Sequence, residues 1–186
     1  DMRRRLFPEA AKPAYTGYAV WRVTVPRPPE AINCDIFQSP HVKAGYIPLS
    51  QETMYLLLVA PEPADHHYDR ADFPQLLRER LQEFNGIIGD IRDNLSDNDD
   101  IVYSPLSEVL LPPPWSQGRV GVAGDAAHAC TPHITQGAAM ALEDAVVLAD
   151  ELESGDTVAA SLLSFAARRY PRAKFVQEVS RGILEA

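Results

Sequence analysis

Alternation of apolar and polar residues dominates the first 60 positions of the chain. Residues 15–25 (YTGYAVWRVTV) are rich in aromatic and β-branched side chains, which favour a strand, and the run PRPPE ends it. Three further short strands are predicted at 35–37, 41–46 and 53–60, separated by turn residues. Sequential strands with short turns indicate an antiparallel meander.

Helical periodicity begins at residue 73. In residues 73–84 (FPQLLRERLQEF) the apolar side chains fall on one side and the charges on the other, which predicts an amphipathic helix closed by Gly86. A second short helix is predicted over 87–94 and a strand over 101–104. The polar stretch 61–72, with His66 and His67, and the acidic run 93–100 are predicted to be solvated loops.

In the last third of the chain the residue pattern changes from alternation to a run of small apolar residues followed by predicted helices. Residues 119–123 are small and apolar without alternation, which predicts a strand buried on both faces, as in parallel sheets. A helix is predicted over 138–152, with Gly155 as its stop. Asp156 or Thr157 can cap the next helix, which runs to Tyr170. Pro171 is then expected either to kink that helix or to start a new segment.

Two connections complete the organisation. Residues 1–7 predict a short helical turn that Pro8 ends. The rigid stretch 111–115 (LPPPW) predicts a boundary between two lobes, placed after residue 114.

Composition narrows the function classes. A chain of 186 residues that is 46% hydrophobic can bury one core, here expected to be divided between two lobes. The net charge of −9 argues against nucleic-acid or anionic-membrane binding. The only cysteines, Cys34 and Cys130, have no disulfide spacing, so we expect a cytoplasmic protein. No signal peptide and no apolar run of bilayer length is visible.

Candidate chemistry lies where the small-residue strand meets the following helix. Asp125 ends the strand, where open α/β sheets bind ligands, and its carboxylate can accept hydrogen bonds from hydroxyl groups. Gly124 before it allows a close approach to the backbone. The helix that begins near Gly137 carries no bulk over its first turn, so its free N–H groups can receive an anionic group. At this point a tight connection with Asp125 as a local cap explains the pattern equally well.

The segment 118–152, GRVGVAGDAAHACTPHITQGAAMALEDAVVLADEL, resembles the second FAD-binding motif of the flavoprotein aromatic hydroxylases, the p-hydroxybenzoate hydroxylase family. The shared pattern is GR before a strand, then GDAAH, a proline, GQG-like residues and an acidic pair. Flanking features also resemble the family. They are the stretch 15–22, Trp115, and the tail residues Arg168, Arg169 and Pro171.

The resemblance implies an α+β fold: an antiparallel or mixed substrate-binding sheet lobe plus the C-terminal strand and helices of a Rossmann-like FAD-binding domain. Residues 1–13 would be a remnant of the FAD domain or a linker, 14–114 the sheet lobe, and 115–186 the C-terminal part of the FAD domain. Asp125 would hold the ribityl chain, backbone near Pro132 would lie over the isoalloxazine, and the helix start would face flavin N1 and O2. The implied FAD-binding residues are Gly124, Asp125, Pro132, Gln136, Gly137 and Ala138.

The resemblance also implies an activity. The parent enzyme would use NAD(P)H and O2 to hydroxylate a small aromatic or heteroaromatic molecule through a flavin C4a-hydroperoxide, with no catalytic side chain identified here. The alternative is a flavin-free module derived from the same fold that binds a small molecule or a partner. A homodimer and the choice between NADH and NADPH are left open.

Two departures from the family pattern are visible. Thr135 stands where the family often has glycine, so it would crowd the loop or cap the helix. The GxGxxG unit for the ADP half of FAD does not occur in residues 1–186, so we expect this chain alone to bind FAD weakly and to be inactive.

Three other patterns carry less weight. His128, Cys130 and His133 lack a fourth ligand for zinc, and an Asp125/His128 hydrolase pair lacks a nucleophile. Trp21 and Arg22 are adjacent on a strand, so they are expected to face opposite sides, and one of them could face an aromatic substrate. One core residue and one surface residue explain the pair at least as well. Tyr46 and Tyr55 are weaker candidates for lining a pocket.

Overall fold

The computed structural model describes residues 2–63 and 67–185, the side chain of Glu185 excepted. The chain divides into two compact units: Gly17–Leu106, here called the sheet unit, and Asp1–Thr16 with Ser107–Ala186, here called the helical unit. The boundaries predicted after residues 13 and 114 stay predictions. Asp1, predicted in the N-terminal turn, and His66, predicted in a polar loop, lie outside the described residues.

The sheet unit is built on five strands. They are β1 (Ala14–Pro26), β2 (Asp35–Gln38), β3 (Lys43–Pro48), β4 (Thr53–Pro61) and β5 (Val102–Glu108). The spatial order is β2-β3-β4-β1-β5, and the β1–β4, β2–β3 and β3–β4 pairs are antiparallel. The antiparallel prediction is therefore confirmed. β5 runs longer than the predicted strand over 101–104.

Two helices, α2 (Phe73–Arg80) and α3 (Ile87–Asn94), pack on one face of the sheet. α3 has the predicted bounds. The prediction that Gly86 closes the preceding helix is wrong: α2 ends at Arg80, and Gly86 is the N-cap of α3 with φ of +63°. The reason is that residues 81–84 leave the helix in a turn yet keep Leu81 and Phe84 buried, so the apolar spacing continues after the helix has ended.

The two faces of the sheet differ. Trp21 pairs with Leu58 and is fully buried in the core beneath α2, together with Phe73. Arg22 pairs with Leu57 on the opposite face, where it is half-buried. The prediction that Trp21 and Arg22 face opposite sides is confirmed, since side chains alternate along a strand.

The helical unit contains four α-helices and a hairpin among its described residues, besides a short 3-10 helix at Pro132–Ile134. They are α1 (Met2–Leu6), β6 (Ser116–Gln117), β7 (Val120–Gly121), α4 (Asp125–His128), α5 (Gly137–Ser154) and α6 (Val158–Glu185). The predicted helix over 138–152 and its Gly155 stop are confirmed. Thr157 caps α6, because its hydroxyl oxygen accepts from the Ala160 N–H at 3.2 Å. α6 continues through Pro171 without a new segment.

The prediction of a strand buried on both faces over 119–123 is wrong. Only Val120–Gly121 forms a strand, it pairs only with Ser116–Gln117 among the described residues, and Val120 is 44% exposed. The small residues have another cause here. A Cβ on Gly121 would come within 3.2 Å of Leu162 Cδ2, so small size allows α6 to approach this hairpin.

Among the described residues, none of the helices combines the length and the apolarity needed to cross a membrane.

Candidate functional site

The turn at Gly124 brings Asp125 to the surface of the helical unit. Gly124 adopts a positive φ of +56°, which glycine adopts without strain, and a Cβ there would lie 3.4 Å from the Ala141 Cβ. Its carbonyl accepts from the N–H groups of Ala127 and His128, both at 2.9 Å, which makes α4 a single turn. Asp125 is the first residue of that turn and is exposed.

A buried carboxylate on α5 holds this turn in place. Asp144, 1% exposed, accepts from the Gly124 N–H at 2.8 Å and lies 2.7 Å from His128 Nε2 through the same oxygen. Because a carboxylate only accepts, His128 Nε2 carries the proton. The other oxygen accepts from Arg169 Nε at 2.7 Å. We call Gly124, His128, Asp144 and Arg169 the clamp, since they join the turn, α5 and α6.

The clamp fixes the charge of Asp144. Burial alone would raise the pKa of this carboxyl group, but hydrogen bonds from His128, the Gly124 N–H and Arg169 outweigh it and lower the pKa below its ordinary value. Asp144 is therefore ionised at neutral pH and pairs with the buried guanidinium of Arg169.

The chain after α4 is also held at several points. The carbonyls of Ala127 and Ala129 accept from the N–H groups of Leu111 and Val109 at 2.8 and 3.0 Å. Gln177 on α6 donates to the Ala129 carbonyl at 3.0 Å, and Ser180 Oγ donates to the Thr131 carbonyl at 2.6 Å. The segment 124–131 is thus fixed by residues far away in the chain, which suits a ligand site.

The start of α5 is open. Its N-cap, Gln136, makes no side-chain hydrogen bond to the helix, and the space where a Gly137 Cβ would stand holds no atom within 4 Å. Ala138 is exposed, and the first helical hydrogen bond runs from Met140 N–H to the Gln136 carbonyl at 2.8 Å. Among the described residues, neither the Gln136 side chain nor any atom at the Gly137 Cβ position closes this helix end, whose N–H groups and dipole favour an anionic group.

The carboxylate of Asp125 remains available to bind a ligand. Within the described ranges its carboxylate forms no hydrogen bond or ion pair, and no side-chain cap is found at α4. The alternative of Asp125 as a local cap is therefore not what the structure shows. An exposed acceptor and an open helix start lie at the two ends of one fixed loop, Gly124 to Gly137.

Thr135 is the strained residue of this loop. Its φ of +52° and ψ of +28° lie in the left-handed region, which β-branched residues rarely adopt. Thr135 is exposed and does not cap α5, so of the two expectations for its side chain, capping is wrong. The backbone requirement explains why glycine would suit this position.

We expect Thr135→Gly to be more stable than Thr135→Ala by about 1 kcal/mol, because only glycine escapes the left-handed strain. At a position with negative φ the order is reversed, alanine being better by about 0.5–1 kcal/mol. Urea unfolding of the two variants tests this. Equal stabilities, or a more stable alanine variant, would show that Thr135 does not hold a left-handed conformation.

Two residue groups to which the sequence gives little weight, the zinc ligands and the Asp125/His128 pair, can be compared with the structure. Among the described residues no group of three His, Cys, Asp or Glu side chains is placed to hold a metal ion. His128 is hydrogen-bonded to Asp144 and not to Asp125. Burial, and then the nearby Asp125 charge, raise the pKa of the Cys130 thiol, which therefore stays protonated at neutral pH.

A cavity of about 850 Å³ lies in the sheet unit, at the C-terminal end of β1. Its apolar floor comes from Met54 and Ile91, and Glu30, Asp90 and Asp99 stand at its rim. Neither Tyr46 nor Tyr55 lines it, so the cavity lends no support to either as a pocket residue.

A family model described as the FAD binding domain matches residues 16–180. The chain belongs to this family. That assignment covers both units and includes the clamp, Asp125 and the start of α5.

Individual relatives agree with the family. The 2-heptyl-3-hydroxy-4(1H)-quinolone synthase of Pseudomonas aeruginosa is 35% identical over 97% of this chain and 47% of its own length. The 6-hydroxynicotinate 3-monooxygenase of Bordetella bronchiseptica is 29% identical over 92% of this chain and 47% of its own. Klebsiella pneumoniae HpxO, solved with FAD and uric acid, superposes with a TM-score of 0.86 at 23% identity, over 97% of this chain and 47% of its own. The chain thus spans about half the length of these proteins.

The clamp is the feature that sequence reasoning missed. The acidic pair Glu143 and Asp144 and the tail residue Arg169 were visible only as parts of a resemblance, without roles. A usable signal existed: Asp144 falls on the same helical side as the core residue Met140, four positions earlier, and an acid in such a stripe needs buried partners.

Proposed function

We propose that this chain forms the flavin-facing and substrate-binding part of an FAD-dependent monooxygenase. The enzyme hydroxylates a small aromatic or heteroaromatic molecule with NAD(P)H and O2. Support comes from the family of the chain, from relatives whose names are those of monooxygenases and related enzymes, and from the open loop between Gly124 and Gly137.

The open loop is the observation on which the proposal depends. A flavin has a hydroxylated ribityl chain and a flat ring system that gains negative charge on reduction. The exposed Asp125 carboxylate suits the hydroxyl groups, and the uncapped start of α5 at Gln136, Gly137 and Ala138 suits the charge. No atom lies within 4 Å of the position of a Gly137 Cβ, so nothing at that point blocks the approach of a ring. The residues present therefore fit the cofactor.

Each part of the chain then has a role. Bound FAD supplies the redox and oxygen chemistry. Gly124 and Asp125 would hold its ribityl chain, the backbone near Pro132 would contact the ring, and the N–H groups of Gly137 and Ala138 would stabilise negative charge on it. The clamp keeps Gly124 and α5 at a fixed separation, so the donors need no reorganisation when charge develops.

Flavin affinity tests the role of Asp125. We expect Asp125→Ala to raise the dissociation constant of FAD from the holoenzyme by about 10- to 100-fold, because hydrogen bonds to a charged group are lost. Flavin fluorescence on dilution measures it. Glu153→Ala, which removes an exposed acid from the other end of α5, is the matched control and should leave the affinity unchanged.

Two results would contradict the proposal. If Asp125→Ala and Glu153→Ala bind FAD equally well, Asp125 does not touch the cofactor. If the full-length protein carries no flavin and does not bind FAD at all, the alternative of a flavin-free binding module takes its place; weak FAD binding by residues 1–186 alone is expected under the proposal.

Localisation, oligomeric state and the choice of nicotinamide cofactor stay predictions. The cytoplasm is favoured by two cysteines that form no disulfide, of which Cys34 is exposed. A homodimer would have a surface available on α5, where Leu142 and Val146 are 71% and 63% exposed. A kinetic comparison of NADH and NADPH will determine which nicotinamide cofactor is used.

A further inference from the structure

The cavity of the sheet unit shares no residue with the open loop Gly124 to Gly137. It lies between the C-terminal end of β1 and helix α3, and we call it the α3 cavity. Its volume of about 850 Å³ falls within the range of roughly 300–1,000 Å³ that is typical of ligand pockets. All of its lining residues belong to the sheet unit, so it is a site additional to the one described above.

The floor of the α3 cavity is apolar and belongs to the core. Val25 lies across the ladder from Met54, and both pack in the core with Ile91 and Leu95, which also line the cavity. Because side chains alternate along a strand, Val25 lies on the same side of the sheet as Trp21. The cavity is therefore on the side that α2 and α3 cover and not on the open side.

The walls of the α3 cavity are preformed. Pro26 and Pro28 have a fixed φ, so the chain that leaves β1 has little conformational freedom. Arg27, between them, donates to two backbone carbonyls at 2.8 and 2.6 Å. On the opposite wall Gly86 begins α3, and among the described residues no atom lies within 4 Å of the place where its Cβ would stand. A ligand can therefore enter without a prior rearrangement.

The polar groups at the opening of the cavity are mainly acceptors. Glu30 and Asp90 are exposed, and within the described ranges their carboxylates form no hydrogen bond and no ion pair. Asp99 is half-buried and accepts from the Ser96 N–H at 2.8 Å. The side-chain NH2 of Asn94 donates to the Asp90 carbonyl at 2.8 Å, so its side-chain oxygen is left to accept.

The cations near these acids are bound to other groups. Arg27 lines the cavity, but its guanidinium is directed at the two carbonyls. Arg78 and Arg92, on α2 and α3, do not line it: Arg78 donates to the Leu95 carbonyl, and Arg92 is paired with Asp93. The lining thus carries three carboxylates and one guanidinium, which gives it a net negative charge.

The arrangement of the acids favours an organic cation over a metal ion. Among the described residues no group of three His, Cys, Asp or Glu side chains is placed to hold a metal, so the three carboxylates do not converge on one ion. They would repel an anion, and a neutral apolar molecule would gain nothing from them. A molecule with a positive group and an apolar body uses both the opening and the floor.

We propose that the α3 cavity binds a small organic cation, an ammonium group attached to an apolar body. The body lies on the floor formed by Met54 and Ile91, and the ammonium group lies among Glu30, Asp90 and Asp99. An ammonium group has N–H donors and no acceptor, which matches an opening of acceptors. The flexible Met54 side chain adapts the floor to the shape of the ligand. The inference goes beyond the proposed function, which assigns no role to these residues.

Two rigid ligands of the same shape and different charge test the proposal. We would label the methionine methyl groups of the full-length protein with 13C, assign the Met54 signal with Met54→Leu, and titrate with 1-aminoadamantane and with 1-adamantanol. We expect the amine to shift the Met54 signal and to bind about tenfold more tightly than the alcohol, because several partly exposed ion pairs are gained. The signal of Met140, in the core of the helical unit, should not shift.

A double variant and a matched control locate the charge preference. Glu30→Gln with Asp90→Asn should reduce the preference for the amine to about threefold or less, because two of the three carboxylates are lost. Asp97→Asn removes an exposed acid of the same acidic run that does not line the cavity, and it should keep the full preference. Should the double variant not fold, Asp90→Asn alone is compared with Asp97→Asn.

Three results would overturn the proposal. They are a Met54 signal that the amine does not shift, equal affinities for the amine and the alcohol, and a preference that the carboxylate variants at Glu30 and Asp90 reduce no more than Asp97→Asn does. The titration does not depend on flavin binding, so the two proposals fail separately. FAD binding without a charge preference would keep the monooxygenase and remove the cation site, and the reverse result would keep only the cation site.

Discussion

Replacing Asp144 with alanine is expected to lower the free energy of unfolding of the helical unit by about 3–5 kcal/mol. The change leaves the Arg169 guanidinium, whose side chain is 6% exposed, without its buried counter-charge. It also leaves the Gly124 N–H and the His128 ring without their acceptor. One substitution thus removes the partner of three buried groups on two other segments, the Gly124–His128 turn and α6.

The neighbouring acid provides a matched control. Glu143 also accepts from Arg169, at 2.8 Å, but its side chain is 37% exposed, so water can replace the interaction. Glu143→Ala should therefore cost about 1 kcal/mol or less. In urea unfolding the indole signal of Trp115 reports on this unit. If Asp144→Ala costs no more than Glu143→Ala, the clamp does not stabilise the fold.

A second substitution separates charge from packing. In the double variant Asp144→Ala with Arg169→Met, no unpaired buried charge remains, so the loss should be smaller than in Asp144→Ala alone. A double variant that is less stable than Asp144→Ala would instead show that Arg169 contributes mainly through other contacts, such as its 3.3 Å hydrogen bond to the Met140 carbonyl.

The clamp also gives a pH dependence of known sign. The folded-state pKa of Asp144 lies below its ordinary value of 3.8, so the unfolded state binds a proton more readily than the folded state. The stabilisation is fully present above the unfolded pKa and is lost as the pH falls from there through the folded pKa. Asp144→Ala should remove this part of the acid sensitivity.

Local patterns predicted most of the elements. The helix α5, its Gly155 stop and the strands of the sheet follow from periodicity and turn residues, because each signal lies within a few positions of the element that it specifies. The predictions are wrong where the role of a residue depends on a different element of the fold. Gly86 was assigned to the helix before it and instead begins α3, and the small residues of 119–123 make room for α6 instead of filling a sheet.

The residues of the candidate site also fall into those that the sequence could predict and those that it could not. Asp125 and the bare start of α5 could be found from the sequence, since both lie in one short segment. The clamp could not, because Asp144 and Arg169 are 25 positions apart and their pairing depends on how α5 and α6 pack. Arg22 was placed on the face opposite to Trp21 by alternation, and the register of β1 with β4 agrees with that placement.

Glu62 is the second position where a single substitution should have a large effect, this time in the sheet unit. Its carboxylate, 1% exposed, accepts from both nitrogens of the Arg80 fork and from Trp21 Nε1 at 3.1 Å. Tyr68 donates its hydroxyl to the same carboxylate. Arg80 also lies over the Trp21 ring, 5.0 Å from its centroid, so one buried acid holds the contacts among the strands, α2 and the core.

We expect Glu62→Gln to lower the free energy of unfolding of the sheet unit by about 3 kcal/mol, because the Arg80 guanidinium stays largely buried without a counter-charge. The same change at Glu79, an exposed acid of α2 whose carboxylate accepts only from Gln75 among the described residues, should cost about 0.5 kcal/mol or less. Urea unfolding followed by the indole signal of Trp21 compares the two. Equal costs would show that the Glu62–Arg80 pair is no stronger than a surface contact.

The ionisation of Tyr68 gives an independent reading of the same cluster. Burial, followed by the hydrogen bond and negative charge of Glu62, raises the pKa of Tyr68 to about 12. Glu62→Gln removes the charge and leaves the burial, so the pKa should fall part of the way towards the ordinary value of 10.0. Ultraviolet difference titration detects the phenolate. A Tyr68 pKa that does not move would mean that its hydroxyl does not donate to Glu62, and the large stability loss would then need another cause.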